Sequence, residues 1–410
     1  MQFMLQDFDP LSAAFAQDPY PIYASLRNNP TPFYFSNIDA HLLSRFDDVD
    51  QAARNPRMLR SNETFTDEAT RRKQQQERNW HDMPNHERFV QFSMLETDGE
   101  VHRRLRMLLL RSFSKTLIAK QRDMIQIHVD HLLDELLEQG EFDFVEDFAA
   151  KVPGHVIGQV LGVPAEDCPQ LRTWSEEIVQ FFDVDRTPED KLLAETAATQ
   201  FYEFLSGLIA ERRKTPRDDL LTVMVQAQAE GQMSETELVS SSLLVLAGGH
   251  GSTIDVLGTG MLAFFNFPGQ LQLLREDPGL IHSAVQEMFR YDSPLPFFHR
   301  YASEEVTICG QAYPIGTKFG LLYGAANRDP AVYSDPDNFD ITRVPNRHLA
   351  FGRGAHLCLG NNLARLDMEL VFLTLLRRTE TIEQIEVDPE FRRGISARGL
   401  KSLRVRTTAN

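Results

Sequence analysis

One cysteine, Cys358, lies in a glycine-rich loop immediately before a long apolar segment. The loop reads FGRGAHLCLG, from Phe351 to Gly360, and the following NNLARLDMELVFLTLL predicts a helix. Free backbone N–H groups and the positive end of the helix dipole stabilise a thiolate at such a position. Glycines at 352, 354 and 360 allow the backbone to lie flat against a large planar group. The loop therefore suits a thiolate that binds a metal within a macrocycle, as in haem.

The alternative for Cys358 is a buried structural cysteine in a glycine-rich turn, which is the commoner role of an arbitrary cysteine. The other two cysteines, Cys168 and Cys309, are far away in sequence, and no CxxC pair exists. A disulfide framework and a structural zinc site are therefore not expected. The fixed spacing of Phe, Gly, His and Cys in the loop favours the metal ligand.

The pattern F-G-x-G-x-H-x-C-x-G resembles the haem-binding loop of the cytochrome P450 family. The matching positions are Phe351, Gly352, Gly354, His356, Cys358 and Gly360. Ala364-Arg365-Leu366 resembles the continuation found in bacterial members. The resemblance, which extends over essentially the whole chain, implies the cofactor haem b with Cys358 as the proximal iron ligand. It also implies that Phe351 and Gly352 contact that cofactor.

Two further motifs agree with this family. Glu287 and Arg290 share one face of a predicted helix and resemble the family's E-x-x-R, whose structural role implies a partner in Arg343. The spacing alone also fits a solvated helix face. The resemblance assigns the haem propionates, which arginine suits well, to four cationic or hydrogen-bonding side chains. These are His102, Arg106, Arg300 and His356. A surface charge is the competing interpretation for each of them.

The segment LLVLAGGHGSTIDVLGTG resembles the family's oxygen-binding groove, which in bacterial members usually reads A-G-H-E-T-T. The alignment places Gly251 where the family has an acid and Ser252 where it has a threonine. Serine keeps the hydroxyl, which donates and accepts hydrogen bonds, but the carboxylate is lost. The resemblance implies that Gly249 lies against the cofactor and that Ser252 orders the water that delivers protons.

Three ways to supply protons without that carboxylate stay open. One is a relay through His250 or Asp255, which lies four residues beyond Gly251 on the same helix face. A second relies on substrate groups and water, and a third uses peroxide, which already carries the protons. For His250, the competing interpretation is an ordinary histidine of the pocket wall or core.

The substrate walls follow from the family positions. The candidates are Phe92, Phe182, Leu246, Phe297, Phe298 and His299. Aromatic side chains at these positions equally suit core packing. The charged segment Arg71–Arg88 is a candidate lid that would favour a polar or anionic substrate, although solvated lid charges are more common.

Electron supply is expected from separate proteins, because no G-x-G-x-x-G follows a predicted strand. Six basic residues lie on segments around the cysteine: Arg103, Arg104, Arg111, Lys115, Arg353 and Arg365. Such a patch attracts a small acidic ferredoxin, which a reductase supplies with electrons from NAD(P)H. An ordinary solvated basic face is the alternative.

The whole-chain composition excludes several classes of protein. A net charge of −17 argues against binding nucleic acid or an anionic membrane surface. Neither a signal peptide nor an apolar stretch of about 18 residues is evident. We therefore expect a cytoplasmic monomer that acts on a small organic substrate.

Local patterns predict a mainly α fold with a small β-rich lobe, as a single domain over residues 1–410. Helices are predicted at Leu117–Gln139, ended by Gly140, and from a capping box at Ser234 to about Phe265. The glycines in the second helix suggest a local opening or a close backbone approach. A hairpin is predicted at Val306–Leu321, which strands at 33–46 and 402–407 could join. Residues 327–346 should form irregular coil.

Together these features predict a haem-thiolate monooxygenase that hydroxylates or oxidatively demethylates a small molecule with one oxygen atom from dioxygen. Two alternatives stay open. Gly251 raises the possibility of a peroxide-driven oxygenase. A haem-binding protein without catalytic activity is the other, and the retained Ser252 argues against it.

Overall fold

Most of the chain is helical in the computed structural model, which describes residues 8–410. The helices are α1 Ala13–Gln17, α2 Tyr20–Asn28, α3 Phe46–Arg54, α4 Glu68–Glu77, α5 Pro84–Phe92, α6 Gly99–Leu110, α7 Lys115–Ala119, α8 Arg122–Gln139, α9 Lys151–Leu161, α10 Cys168–Gln180, α11 Pro188–Lys214, α12 Leu220–Ala229, α13 Glu235–Gly248, α14 Gly251–Asn266, α15 Pro268–Glu276, α16 Ile281–Tyr291, α17 Tyr323–Ala326 and α18 Asn361–Arg378. The strands are β1 Phe33–Phe35, β2 Ala40–Leu43, β3 Met58–Leu59, β4 Glu141–Asp143, β5 Phe297–Ala302, β6 Val306–Ile308, β7 Gln311–Tyr313, β8 Lys318–Leu322, β9 Thr379–Gln384 and β10 Arg404–Ala409. The predicted mainly α fold with a small β-rich part is confirmed.

Strands from distant parts of the chain form a five-stranded sheet in the order β1-β2-β8-β5-β3. Strand β2 pairs with β8 in parallel, and β5 pairs with β8 antiparallel. The predicted hairpin forms only in part. Strands β6 and β7 turn at Gly310, whose φ is 75°, but β8 leaves them for the larger sheet. The sheet therefore brings the 297–299 segment of β5 beside the strand that starts at Lys318.

The predicted strand at the tail forms, but not where it was expected. Strand β10 pairs with β4 and β9 in a separate three-stranded sheet, with Thr407 opposite Ile382. The expectation that this strand joins the hairpin is wrong. Helix α18 leads directly into β9 and so places β9 beside β10. Strand β10 therefore pairs with β9 and not with the strands around β8.

The long helix predicted from Ser234 is two helices, α13 and α14, separated at Gly249 and His250. Its capping box forms as predicted. The Ser234 hydroxyl accepts the Glu237 N–H at 3.2 Å, and the Glu237 carboxylate accepts the Ser234 N–H at 2.7 Å. A Cβ on Gly249 would lie 2.6 Å from Ile157, so close packing requires glycine there. The predicted local opening is therefore confirmed, whereas the continuous helix is not.

The helix predicted at Leu117–Gln139 is shorter at its start. Helix α8 begins at Arg122, and residues 115–119 form the separate helix α7. Its predicted end is confirmed at Gly140, which adopts φ 71° and donates its N–H to the carbonyl of Leu136 at 3.2 Å.

A buried ion pair anchors the irregular segment before the cysteine loop. Arg290 donates to Glu287 at 2.7 and 2.8 Å, and both side chains are fully buried. Arg343 lies 3.3 Å from the same carboxylate, as the sequence motif implied. Arg290 also donates to the carbonyls of Asn327 and Pro336 at 3.0 and 2.7 Å. These bonds hold a segment that has no helix or strand, as predicted for residues 327–346.

Candidate active site

The cysteine loop ends at the start of α18, as predicted. Cys358 donates its backbone N–H to the carbonyl of Phe351 at 2.8 Å, which closes the loop on itself. Gly352 and Gly354 have φ values of 67° and 72°, a region that favours glycine. The accessible surface of Cys358 faces an internal cavity of about 260 Å³, which Phe351 and Gly352 also line. The loop thus presents one sulfur to this cavity.

The electrostatic surroundings of the thiol act in two directions. Burial raises the pKa of Cys358, whereas the backbone N–H of Gly360 and the guanidinium groups of Arg106 and Arg365 act to lower it. Helix α18 begins at Asn361, so its amino-terminal end lies next to the sulfur. A thiolate bound to a cation would keep these stabilising contacts without the burial penalty of a free anion.

Four side chains predicted to bind propionates lie in the wall of the same cavity. They are His102, Arg106, Arg300 and His356. The rings of His102 and His356 lie 4.2 Å apart, and Arg106 donates to the carbonyl of Leu357 at 2.6 Å. Arg300 is only 3% exposed, and within residues 8–410 its hydrogen bond is to the carbonyl of His299, at 2.9 Å. Among the described residues no carboxylate lies within salt-bridge distance of this buried guanidinium, so an acidic ligand group in the cavity would fit it.

The opposite wall comes from the interruption between α13 and α14. Gly248, Gly249 and Ser252 line the cavity there. A Cβ added to Gly248 or Gly251 would meet nothing within 4 Å, so open space lies beside this backbone. The structure therefore brings Cys358 and Ser252 to the wall of one cavity that is flanked by cations. Sulfur ligand, flat glycine backbone and buried guanidinium together fit a haem.

A second cavity of about 560 Å³ adjoins the first. Both are lined by Arg60, Leu95, Leu244, Gly248, Ser252, Leu295 and Phe298. Four predicted substrate-wall residues, Phe182, Phe297, Phe298 and His299, line this larger cavity. His299 lies 3.2 Å from Glu96, so its imidazole is held by a carboxylate. The larger cavity has the size and the apolar walls of a small-molecule site.

Two predicted substrate residues, Phe92 and Leu246, lie outside both cavities. Phe92 is the last residue of α5 and is 41% exposed to solvent, whereas Phe89, earlier on the same helix, lines the cavity. Leu246 is packed in the core, while Leu244 and Ala247 of α13 line the cavity. Both predictions are wrong because each helix turns only one face to the cavity, and neighbouring residues point in different directions.

The two candidate proton-relay residues differ in their surroundings. His250 is buried against Gly154, and its Nε2 has no hydrogen-bond partner in residues 8–410. Burial lowers the pKa of His250 to about 4, so the ring is neutral at physiological pH. Asp255 is buried and forms an ion pair with Arg392. His250, Asp255 and Arg392 all line the larger cavity.

Two residues of the site carried no sequence signal. Asp98 accepts hydrogen bonds from the backbone of Arg60 and Ser61 and lies 3.1 Å from His356 Nε2, so it orients that imidazole. Arg60 is 3% exposed, bonds to Glu96 and lies 5.0 Å from the ring of Phe298. Both belong to the segments before α6, where the sequence has no periodic pattern or motif to mark them.

The basic residues near the cysteine are only partly free to meet a partner. Arg104 pairs with Glu237 at 2.6 Å, and Arg353 lies 3.6 Å from Asp50. Arg365 stacks over Phe351 at 4.4 Å. Arg103 and Arg111 are exposed, and the side chain of Lys115 lies outside the described part of the structure. The exposed arginines are the ones available to an acidic protein.

The chain belongs to the cytochrome P450 family, whose model matches residues 58–396. It is 35% identical to the biotin biosynthesis cytochrome P450 of Bacillus subtilis (strain 168), over 76% of this chain and 79% of the relative. It is 36% identical to the steroid C26-monooxygenase of Mycobacterium tuberculosis (strain CDC 1551 / Oshkosh), over 72% of this chain and 80% of the relative. The solved structure of epothilone B-bound cytochrome P450epoK superposes with a TM-score of 0.90 at 31% identity, covering 98% of this chain and all (100%) of that one.

The protein is a haem-thiolate monooxygenase of this family, which uses haem, dioxygen, a small substrate and redox partners. Within the described residues, no helix combines the length and the apolar character that crossing a bilayer requires.

Proposed function

We propose that Cys358 binds the iron of haem b and that His102, Arg106, Arg300 and His356 hold its propionates. The observation that carries the proposal is the placement of one sulfur and the buried Arg300 guanidinium in the wall of the same cavity. The haem, when bound, supplies the activation of dioxygen that permits insertion of one oxygen atom. The match of the family model to residues 58–396 supports a single haem domain.

The residues of this chain position the substrate and move protons. Ser252 lines both cavities, so its hydroxyl is placed to order a water between the substrate and the smaller cavity. Asp255, which is paired with Arg392, replaces the missing acid at position 251 as the entry point for protons from the larger cavity. His250, whose ring is neutral because burial lowers its pKa to about 4, is the second candidate for this relay.

The reaction we propose is hydroxylation or oxidative demethylation of a small organic molecule. Electrons come from NAD(P)H through a ferredoxin reductase and a small acidic ferredoxin. The exposed Arg103 and Arg111 support docking of an acidic partner near the cysteine. We propose that the protein acts as a monomer.

A pair of cysteine variants tests whether Cys358 is the iron ligand. Cys358→Ser should abolish the absorption band that a thiolate-bound haem shows when it is reduced and exposed to carbon monoxide. The matched control is Cys309→Ser. Cys309 lies in the turn between β6 and β7, outside both cavities, and its sulfur is 3.3 Å from the Asp48 carboxylate. A band that survives in Cys358→Ser, or that disappears equally in both variants, would contradict the assignment.

Gly251 favours a second candidate, a peroxide-driven oxygenase. No carboxylate stands at this position, and a Cβ there would meet nothing within 4 Å. Turnover should be compared with NAD(P)H, ferredoxin, reductase and dioxygen on one side and with hydrogen peroxide on the other. Product formed only with peroxide would favour this candidate over the proposal.

The open space at position 251 permits a restoring variant. Gly251→Glu should raise the fraction of NAD(P)H consumed that appears as product, if a missing acid limits proton supply. Gly251→Gln is the matched control, since it has similar bulk but no titratable group. Equal coupling in the two variants would show that an acid at this position is not needed.

A further inference from the structure

The larger cavity contains basic side chains that differ in whether they have acidic partners. Four of them are paired: Arg60 with Glu96, Arg71 with Glu63, Arg78 with Asp39 and Arg392 with Asp255. Lys318 and Arg186 line the same cavity, and within residues 8–410 neither has an acidic oxygen within 4 Å. Arg393 also lines the cavity without an acidic partner among the described residues, but it is exposed to solvent. Lys318 and Arg186 are therefore the partly buried cations of the wall that lack such a partner.

Lys318 lies at the start of β8, and its Nζ donates only one described hydrogen bond, to the carbonyl of Ile38 at 3.3 Å. An ammonium group has three donors, so two are left for the cavity. Burial lowers the pKa of Lys318 to about 7, and the positive charges of Arg78 and Arg186 act in the same direction. A bound anion would offset both effects.

Arg186 lies between α10 and α11 and lines the same cavity as Lys318. Its Nε donates to the carbonyl of Phe181 at 2.8 Å, and its guanidinium lies 5.1 Å from the centre of the Trp80 ring. The side chain is thus fixed in position while its terminal nitrogens stay available. Burial, and then the positive charge of Arg78, lower the pKa of Arg186 to about 10.

The acids closest to Lys318 and Arg186 accept their hydrogen bonds from other groups. Glu96 accepts from Arg60 and His299. Asp183 accepts the backbone N–H groups of Ile395 and Ser396 at 3.1 and 2.9 Å. Asp39 is 59% exposed and is held by Arg78 at 3.3 Å. Glu87 also lines the cavity, where it accepts hydrogen bonds from the Gln75 and Gln91 amides. The donors of Lys318 and Arg186 consequently face the cavity without an acidic oxygen within salt-bridge distance.

We propose that the larger cavity binds a small organic anion, a monocarboxylate with an apolar body, whose carboxylate lies against Lys318 and Arg186. The inference rests on the proposed function of the site. Charge-assisted hydrogen bonds from two fixed cations suit a carboxylate, and the apolar body packs on aromatic walls such as Phe182 and Phe297.

This arrangement also sets the position of oxidation. Neither Lys318 nor Arg186 lines the smaller cavity, whereas Ser252 and Phe298 line both. A substrate held by its carboxylate at the two cations presents its other end at the junction with the Cys358 cavity. Oxygen is therefore inserted at carbons remote from the carboxylate.

The test compares dodecanoate with methyl dodecanoate, using the shift of the haem from low spin to high spin to measure the Kd of each. The acid should bind at least about tenfold more tightly than the ester, a difference of about 1.4 kcal/mol. Lys318→Met and Arg186→Gln should remove that preference and leave ester binding within about twofold of wild type. Mass spectrometry of the product of the wild-type enzyme should place the new hydroxyl toward the methyl end.

Arg71→Gln is the matched control, because Arg71 lines the same cavity but is already paired with Glu63. It should keep the preference for the acid. A charge reversal gives a gain of function: Lys318→Glu should bind dodecyltrimethylammonium, which cannot ligate iron, more tightly than the wild type does.

Equal affinity for acid and ester in the wild type would overturn the proposal, as would variants that weaken both ligands alike. These outcomes are distinct from failure of the proposed function. The carbon monoxide band and the spin shift with the uncharged ester report the haem site whether or not the cavity prefers anions. If neither signal is seen, it is the proposed haem site that fails.

Discussion

Arg290 makes a two-point ion pair with Glu287, at 2.7 and 2.8 Å, and is linked through one more residue to the cysteine loop. The same guanidinium donates to the carbonyl of Asn327 at 3.0 Å, and the Asn327 side chain accepts the Leu349 N–H at 2.7 Å. Leu349 lies two residues before Phe351, the start of the loop. A buried charge pair in α16 therefore supports the backbone that presents Cys358.

The first prediction concerns this pair. Glu287→Gln leaves the charge of Arg290 fully buried and less compensated, so the free energy of unfolding should fall by about 3–5 kcal/mol. Urea unfolding of the haem-loaded protein measures the change. Asp134→Asn is the control, because Asp134 is 65% exposed in its pair with Arg378, and it should cost less than about 1 kcal/mol. Similar losses in both variants would contradict the supporting role of Glu287.

The second prediction concerns Gly354 in the cysteine loop. Its φ is 72°, and an added Cβ would lie 2.5 Å from the carbonyl oxygen of Ala53 in α3. Gly354→Ala should therefore reduce haem retention after gel filtration and destabilise the protein by more than about 1 kcal/mol. In Gly207→Ala, within α11, the Cβ meets nothing within 4 Å, so that variant should gain about 0.5–1 kcal/mol. Unchanged stability in Gly354→Ala would show that the loop can move away from α3.

The third prediction concerns the Ser252 hydroxyl at the junction of the two cavities. Ser252→Ala should lower the fraction of NAD(P)H that yields product by about tenfold and raise the release of hydrogen peroxide, because proton delivery is no longer ordered. The control is Ser241→Ala in α13, where the hydroxyl is buried and has no hydrogen-bond partner in residues 8–410. If coupling is the same in the two variants, the proton path does not use Ser252.

The fourth prediction concerns stability against pH. His86 is fully buried, and burial lowers its pKa from 6.5 to about 4. In the unfolded chain His86 therefore binds a proton as the pH falls below 6.5, whereas in the folded chain it binds one only near pH 4. The stability that neutral His86 provides is complete above pH 6.5 and is lost as the pH falls toward 4, at about 1.4 kcal/mol per pH unit.

His86→Phe tests this sign, because it keeps an aromatic ring beside Phe181, 5.4 Å away, and removes the titration. Unfolding free energies at about pH 7 and about pH 5 should differ less in this variant than in the wild type. Buried His250 and His348 have lowered pKa values as well, so a reduced slope should remain. The control is His131→Gln, at an exposed histidine, which should leave the dependence of the unfolding free energy on pH unchanged. The same pH dependence in His86→Phe as in the wild type would refute the prediction.

Much of the site was predictable because its signals are local. The loop from Phe351 to Gly360 needs residues at fixed spacing around one sulfur, and this spacing is visible in the printed chain. The same holds for the capping box of Ser234 and for the stop at Gly140, which depend on hydrogen bonds within a few residues. The three glycines near His250 correctly indicated an interruption, since each disfavours a continuous helix.

Other features were decided only by tertiary structure. Strand β10 pairs with β9 and β4 because α18 delivers β9 to its edge, and no periodicity within residues 402–407 specifies that partner. Phe92 and Leu246 have the right composition for a pocket wall, but packing turns the neighbouring faces of their helices to the cavity. The ties from Asp98 to His356 and from Asp255 to Arg392 join residues more than a hundred positions apart.

The sequence by itself predicted a cysteine as the cofactor ligand and determined the helical character and some ends of individual elements, because short-range geometry and hydrogen bonding control them. Only the fold decided which side chains meet. It left Lys318 and Arg186 without acids while pairing Arg60 and Arg78, because charge compensation depends on distances between segments that local patterns do not encode.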